Sequence, residues 1–178
     1  AVLALLRICA GLDYRVEGRH NLPAGPYLIA AKHESAWETI ALLVVFDRPV
    51  FILKRSLLWL PVFGWYLARI GMIGIDRSAA GGALRQMIRG AARAVEEGRN
   101  VVVFPEGTRT PPGTTRPLRP GIAALYAAGS APVVPVALDS GRFWPRRSFR
   151  KTPGTITVRI LPAMPVGLEK RAFLAALQ

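Results

Sequence analysis

The sequence predicts an α/β fold: a single domain on a mixed, mostly parallel sheet of about seven strands, flanked by helices. Three observations carry that expectation. Short apolar runs of strand length alternate with longer runs at helical spacing, the pattern of strand–helix units. The 178 residues are 51% hydrophobic and only 20% charged, which excludes a disordered chain. No internal repeat or long polar linker divides them, and one continuous core suits that length.

The first segment, 1–12, is apolar apart from Arg7. It falls short of the ~20 apolar residues that span a bilayer, and it lacks the charged start and cleavage site of a signal peptide. With Ala rather than Met at position 1, it is expected to be the end of a membrane-associated helix that starts upstream. Residues 1–178 are otherwise expected to form one domain.

Strands are expected near 14–17, 27–31, 50–53, 72–75, 101–104, 133–137 and 155–160. Helices are expected over 36–46, 57–68, 80–97, 121–128 and 168–176. The helix over 57–68 lies in the uncharged block 56–68, which Pro61 and Gly64 interrupt and which carries Trp59, Trp65 and Tyr66. Such aromatics suit a bilayer interface, and a buried helix pair suits the block equally well. Over 80–97, Ala83, Leu84, Met87, Ile88, Ala91, Ala94 and Val95 form an apolar face at 3.6-residue spacing. Gly98 stands where a left-handed C-terminal residue is expected. Arg85, Arg89 and Arg93 recur every four residues on another face, as a solvated surface or a docking face for an acidic carrier protein or anionic lipid.

Charge narrows the partners. Lys and Arg total 24 against 11 acidic residues, a net charge of +13 and a pI near 11.3. This implies nucleic acid, an anionic membrane surface or a phosphorylated substrate. The lone Cys9 excludes a disulfide framework and suits a reducing compartment. The stretch 142–151 adds five cations and three aromatics, which fits anionic headgroups, single-stranded nucleic acid or a solvated loop.

The chemistry-bearing residues cluster at strand ends. His20 lies in the turn-like Gly18-Arg19-His20-Asn21 and reads as an ordinary loop residue. His33 instead follows an apolar strand and precedes a helix, the junction where α/β folds present reactive groups. Glu38 stands five residues on, so with His33 on the turn and Glu38 in the first helical turn the two can meet. A carboxylate on one imidazole nitrogen sets the tautomer and leaves the other to take a proton from an alcohol. No serine or cysteine sits in a nucleophile-elbow pattern, so that alcohol belongs to the substrate. A second segment runs from an apolar strand into Phe104-Pro105-Glu106-Gly107-Thr108-Arg109. Gly107 permits a tight turn, and Arg109 offers a fork for phosphate unless it pairs with Glu106 to brace the loop. Lys54 and Arg77 also follow apolar strands. If these strands are parallel, Lys54, Arg77, Arg109 and His33 share one rim.

Together these segments resemble the glycerolipid acyltransferase family, specifically its bacterial 1-acylglycerol-3-phosphate acyltransferases. The His-x4-Asp block is matched by His33-Glu34-Ser35-Ala36-Trp37-Glu38, with Glu in place of Asp. The second block is matched at 71–77, the Phe-Pro-Glu-Gly-Thr-Arg block is complete at 104–109, and the apolar block around Pro135 is matched at 133–138. The resemblance implies a glycerol-3-phosphate-acyltransferase-like fold and transfer of a fatty acyl group from a thioester to the 2-hydroxyl of lysophosphatidic acid. It implies His33 as general base, Glu38 as its orienting carboxylate, and Lys54, Arg77 and Arg109 toward the acceptor phosphate. Glu106, Gly107 and Thr108 would shape that site, and the Pro135 block is a candidate for oxyanion donors. No metal or cofactor is expected. The implied partners are the lysophospholipid acceptor, an acyl-CoA or acyl-carrier-protein donor and an anionic membrane surface, at the cytoplasmic face of a bacterial inner membrane. A lyso-aminolipid acceptor, such as lyso-ornithine lipid, is the alternative within the family. A nucleic-acid-binding domain would leave His33, Glu38 and 104–109 without a purpose, so nucleic acid is not an expected partner.

Overall fold

The computed structural model describes residues 2–76 and 80–178. Its elements run α1 (Val2–Ala10), β1 (Leu12–Glu17), β2 (Leu28–Ala31), α2 (Trp37–Val45), β3 (Pro49–Lys54), α3 (Phe63–Arg69) and β4 (Ile73–Ile75). They continue with α4 (Ala80–Glu96), β5 (Asn100–Val103), α5 (Pro120–Ala128), β6 (Val133–Leu138), β7 (Gly154–Ile160) and α6 (Lys170–Leu177). The seven strands form one sheet in the order β1-β7-β6-β2-β5-β3-β4. Strands β6, β2, β5, β3 and β4 are mutually parallel, and the sheet turns antiparallel only where β6 meets β7. The expected mixed, mostly parallel sheet is the one found.

The two central strands explain the apolar runs. Every residue of β2 and β5 is buried, as a strand covered by helices on both faces requires. The chain leaves β2 toward β3 and leaves β5 toward β6, in opposite directions across the sheet. Right-handed crossovers therefore put α2 on one face and α5 on the other. The contacts agree: α1 packs on α2, and α4 and α6 pack on α5. The C-terminal ends of β2 and β5 thus form a switch point, where open α/β sheets bind ligands.

Two expectations change. The helix over 57–68 is divided into a 3-10 turn at Arg55–Trp59 and α3. Pro61 has no amide proton to continue a helix, and Val62 turns the chain with φ +63°. Gly64 lets the two pieces touch, because a Cβ there would overlap the Leu58 carbonyl oxygen. The block is no buried helix pair: Trp59, Val62 and Trp65 are 75%, 73% and 69% exposed. The first segment, 1–12, is a nine-residue helix only as far as Ala10, and Leu12 already enters β1. Gly11 makes that reversal at φ +62°. Among the described residues no helix is long and apolar enough to cross a membrane.

The long helix α4 buries Met87, Ala91 and Ala94 from the expected face. Gly98 ends it at φ +70°. Arg85, Arg89 and Arg93 are exposed, and Arg93 pairs with Glu97 at 3.0 Å.

Candidate active site

Past Ala31 the amide of Lys32 still donates to the Val136 carbonyl, and the chain then leaves the sheet at His33. Residues 33–36 turn into α2 through a reciprocal cap. The Ser35 hydroxyl accepts the Trp37 N–H at 3.1 Å, and Glu38 reaches back to accept the Ser35 N–H at 2.6 Å. This Ser-x-x-Glu pattern, a capping-box variant with the hydroxyl on the second helical amide in place of the third, is a sequence signal that the spacing argument alone misses. It also gives the longer Glu38 side chain a purpose, since the carboxylate must fold back onto the turn before its own helix.

Glu38 is fully buried and engaged at both oxygens. Its Oε1 accepts the Glu34 N–H at 2.6 Å and the Ser35 N–H at 2.6 Å, and lies 3.0 Å from His33 Nδ1. Its Oε2 accepts the Ser140 hydroxyl at 2.7 Å. The first turn of α2 adds the positive end of the helix dipole, so the site is built for a carboxylate. With Nδ1–H directed at that carboxylate, Nε2 of His33 carries the lone pair. The imidazole stacks on Phe104, with centroids 3.9 Å apart and planes at 16°.

The turn after β5 holds the same histidine by its backbone. Glu106 Oε2 accepts the His33 N–H at 3.3 Å, and the Thr110 amide donates to the His33 carbonyl at 2.7 Å. Both side chains are buried. Among the described residues no ion pair joins Glu106 to Arg109, so the carboxylate braces the histidine turn and not the arginine. Gly107 adopts φ +67°, and a Cβ there would come within 3.1 Å of Arg119 Cγ.

Lys54 ends β3 and Arg109 follows β5, so both stand on the rim that bears His33. Lys54 is exposed and Arg109 half-buried. Strand β5 separates β3 from β2, which places Lys54 about 10 Å across the rim from the His33 strand. Arg77 lies outside the described residues. Thr108 borders a cavity of about 260 Å³ with Arg116 and Arg119. Glu106 also borders a neighbouring one of about 250 Å³ with Lys32, Pro135 and Leu161. Within the Pro135 block, Pro135 itself offers no oxyanion donor. Pro135 has no N–H, and its strand is laddered between β2 and β7.

Sequence reading missed a third buried carboxylate. Glu34 pairs with Lys32 Nζ at 3.2 Å and accepts the Gly141 N–H at 3.1 Å. Burial pushes its carboxyl above the usual 4.5, against the lowering effect of Lys32.

In the basic stretch 142–151 the aromatics divide between packed and exposed positions. Phe143 lies against Gly154, Trp144 donates its ring N–H to the Ser148 carbonyl, and Lys151 caps the Trp144 ring at 4.3 Å. Phe149 alone of its three aromatics is exposed, at 98%.

Comparison with known proteins matches this architecture. The chain is 42% identical over 160 residues to the 1-acyl-sn-glycerol-3-phosphate acyltransferase of Pseudomonas aeruginosa, covering 90% of this chain and 62% of that protein. It is 32% identical over 167 residues to the human 1-acyl-sn-glycerol-3-phosphate acyltransferase alpha, covering 92% and 59%. The crystal structure of the 1-acyl-sn-glycerophosphate (LPA) acyltransferase PlsC from Thermotoga maritima aligns with a TM-score of 0.75 and 25% identity, over 93% of this chain and 68% of that one. The chain thus spans about three fifths of the length of these curated relatives. The Acyltransferase family model matches residues 13–139, from β1 past β6, and so takes in both the His33–Glu38 pair and the 104–109 turn. The chain belongs to the acyltransferase family.

Proposed function

We propose that the protein transfers a fatty acyl group from a thioester to the 2-hydroxyl of 1-acylglycerol 3-phosphate, forming phosphatidic acid. The observation that carries this reading is the His33–Glu38 pair: Nδ1 is locked to a fully buried carboxylate at 3.0 Å on a rim that also bears Lys54 and Arg109. The names of the relatives support the substrate class.

In this reading Nε2 of His33 takes the proton of the acceptor hydroxyl as its oxygen attacks the thioester carbonyl. Glu38 stabilises the imidazolium that forms. Collapse of the tetrahedral intermediate breaks the carbon–sulfur bond, and the imidazolium returns the proton to the leaving thiolate. No acyl-enzyme is needed, and neither is a metal or prosthetic group. Lys54 and Arg109 hold the acceptor phosphate, with Arg77 a third cation by its sequence position. Gly107 and Thr108 shape the turn that presents Arg109, and Glu106 fixes the His33 backbone. A lyso-aminolipid acceptor would give the two cations no phosphate to bind.

The exposed aromatic block completes the proposal. The 3-10 turn Arg55–Trp59 starts where β3 ends, on the catalytic rim. Trp59, Phe63, Trp65 and Tyr66 expose apolar and amphipathic surface between Arg55 and Arg69. That composition seats the rim on an anionic bilayer, where the acceptor resides. For a bacterial enzyme this is the cytoplasmic face of the inner membrane, with acyl-CoA or acyl-carrier protein as donor.

The test is turnover of the purified protein with both donors and with 1-acylglycerol 3-phosphate or a lyso-aminolipid in anionic vesicles. Thiol release and phosphatidic acid formation that depend on the phosphate acceptor are expected. Turnover confined to the aminolipid, or tight salt-sensitive DNA binding without turnover, overturns the proposal.

A further inference from the structure

We infer that Ser140 is a positioning residue for this reaction: its hydroxyl holds Oε2 of Glu38 so that Oε1 faces His33. The inference rests on the reading of His33 as general base.

The geometry is specific. Ser140 and Glu38 are both fully buried, 102 residues apart in sequence, and the Ser140 Oγ lies 2.7 Å from Oε2. The three remaining donors, the Glu34 and Ser35 amides and His33 Nδ1, all converge on Oε1. Held at one oxygen, a carboxylate pivots easily, because its terminal torsion is broad. A donor at the second oxygen fixes the carboxylate plane, and with it the direction in which Oε1 receives Nδ1–H. A hydroxyl does this without adding charge, so the full carboxylate charge remains to stabilise the imidazolium. Burial keeps the Ser140 oxygen from any thioester, so its effect passes through Glu38.

The turn that carries Ser140 is itself fixed. The amides of Phe143 and Trp144 donate to the Ser140 carbonyl at 3.1 and 2.9 Å. Just before it, Asp139 Oδ1 accepts the Thr157 N–H at 2.7 Å, tying the turn to β7. Just after it, the Gly141 N–H donates to Glu34 Oε2 at 3.1 Å. Gly141 admits no side chain, since a Cβ would lie 2.8 Å from Glu34 Cβ and 2.9 Å from Pro112 Cγ. The segment 139–142 is therefore clamped directly onto 33–38, and it delivers one hydroxyl to the carboxylate of the dyad.

The experiment compares Ser140→Ala in the wild-type and Glu38→Gln backgrounds, with His33→Ala as control. In the wild-type background kcat falls on the order of tenfold, while KM for donor and acceptor stays within about twofold. In the Glu38→Gln background the same change alters residual kcat by less than about twofold, because the group it acts through is gone. The downfield proton resonance of His33 Nδ1–H shifts or broadens in Ser140→Ala. An unchanged kcat overturns the inference, and so does an equal loss in both backgrounds. If Ser140→Ala does not fold, Ser140→Cys fills the site with a slightly larger, weaker donor, and carries the same comparison with an intermediate loss. Wild-type turnover that survives His33→Ala would instead overturn the general-base reading.

Discussion

Replacing Glu38 by aspartate restores the residue usual at this position in the family, yet it should impair this chain. The substitution shortens the side chain by one carbon–carbon bond, about 1.5 Å. In the native arrangement the carboxylate lies 2.6 Å from two amides, 3.0 Å from His33 Nδ1 and 2.7 Å from the Ser140 hydroxyl. Retraction by that length carries these contacts to roughly 4 Å, outside hydrogen-bond range. The Ser35–Glu38 capping box opens with them. The carboxylate is fully buried, so relaxation comes chiefly from a shift at the start of α2. Recovering part of the network still leaves a loss of about 2 kcal/mol in stability, or roughly 4–8 °C in Tm. A similar loss of imidazolium stabilisation lowers kcat by about thirtyfold. Calorimetry and initial rates of thiol release on lysophosphatidate measure the two effects. An aspartate variant with native Tm and native kcat would refute the claim that this reach is set by the donors around it.

Two further outcomes follow from the same geometry. Arg109→Ala should raise the acceptor KM by about ten- to a hundredfold with a smaller change in kcat, measured by acceptor titration at saturating donor; an unchanged KM removes Arg109 from phosphate binding. Glu34 titrates above its unfolded value of 4.5, because burial disfavours its charge. The native state then binds more protons than the unfolded state across that interval, so its stabilising contribution is complete below about 4.5 and is lost as pH rises through the raised value. Denaturant melts from pH 4 to 8 should show wild type losing stability relative to Glu34→Gln as pH rises, and a difference independent of pH would contradict the assignment.

Much of the site was legible because its parts are local. Residues 27–38 form a strand, a turn and a helix whose order already places His33 near Glu38. The rim shared by His33, Lys54 and Arg109 needed only that β2, β3 and β5 be parallel, and they are. Ser35-x-x-Glu38 was equally readable as a capping box, and it explains the glutamate better than spacing does. Other features depend on long-range closure. Ser140 and Gly141 meet Glu38 and Glu34 only after β6 docks beside β2. No periodicity marks a serine for that role. The division of 57–68 was foreshadowed by Pro61 and Gly64, but helical spacing on either side concealed it. Composition could not show which aromatics of 142–151 stay exposed: Phe143 and Trp144 pack onto the fold, and Phe149 does not.

The most direct test of the central claim is the rate of thioester cleavage coupled to phosphatidic acid formation in wild type and His33→Ala, with folding checked by circular dichroism. In the proposed mechanism the Nδ1 contact to Glu38 at 3.0 Å leaves Nε2 of His33 to act as the base on the acceptor hydroxyl. Wild type should release one thiol per phosphatidic acid formed, and the folded alanine variant should lose turnover by at least a hundredfold, as expected for a general base. A folded His33→Ala protein that still acylates lysophosphatidate near the wild-type rate would contradict the account.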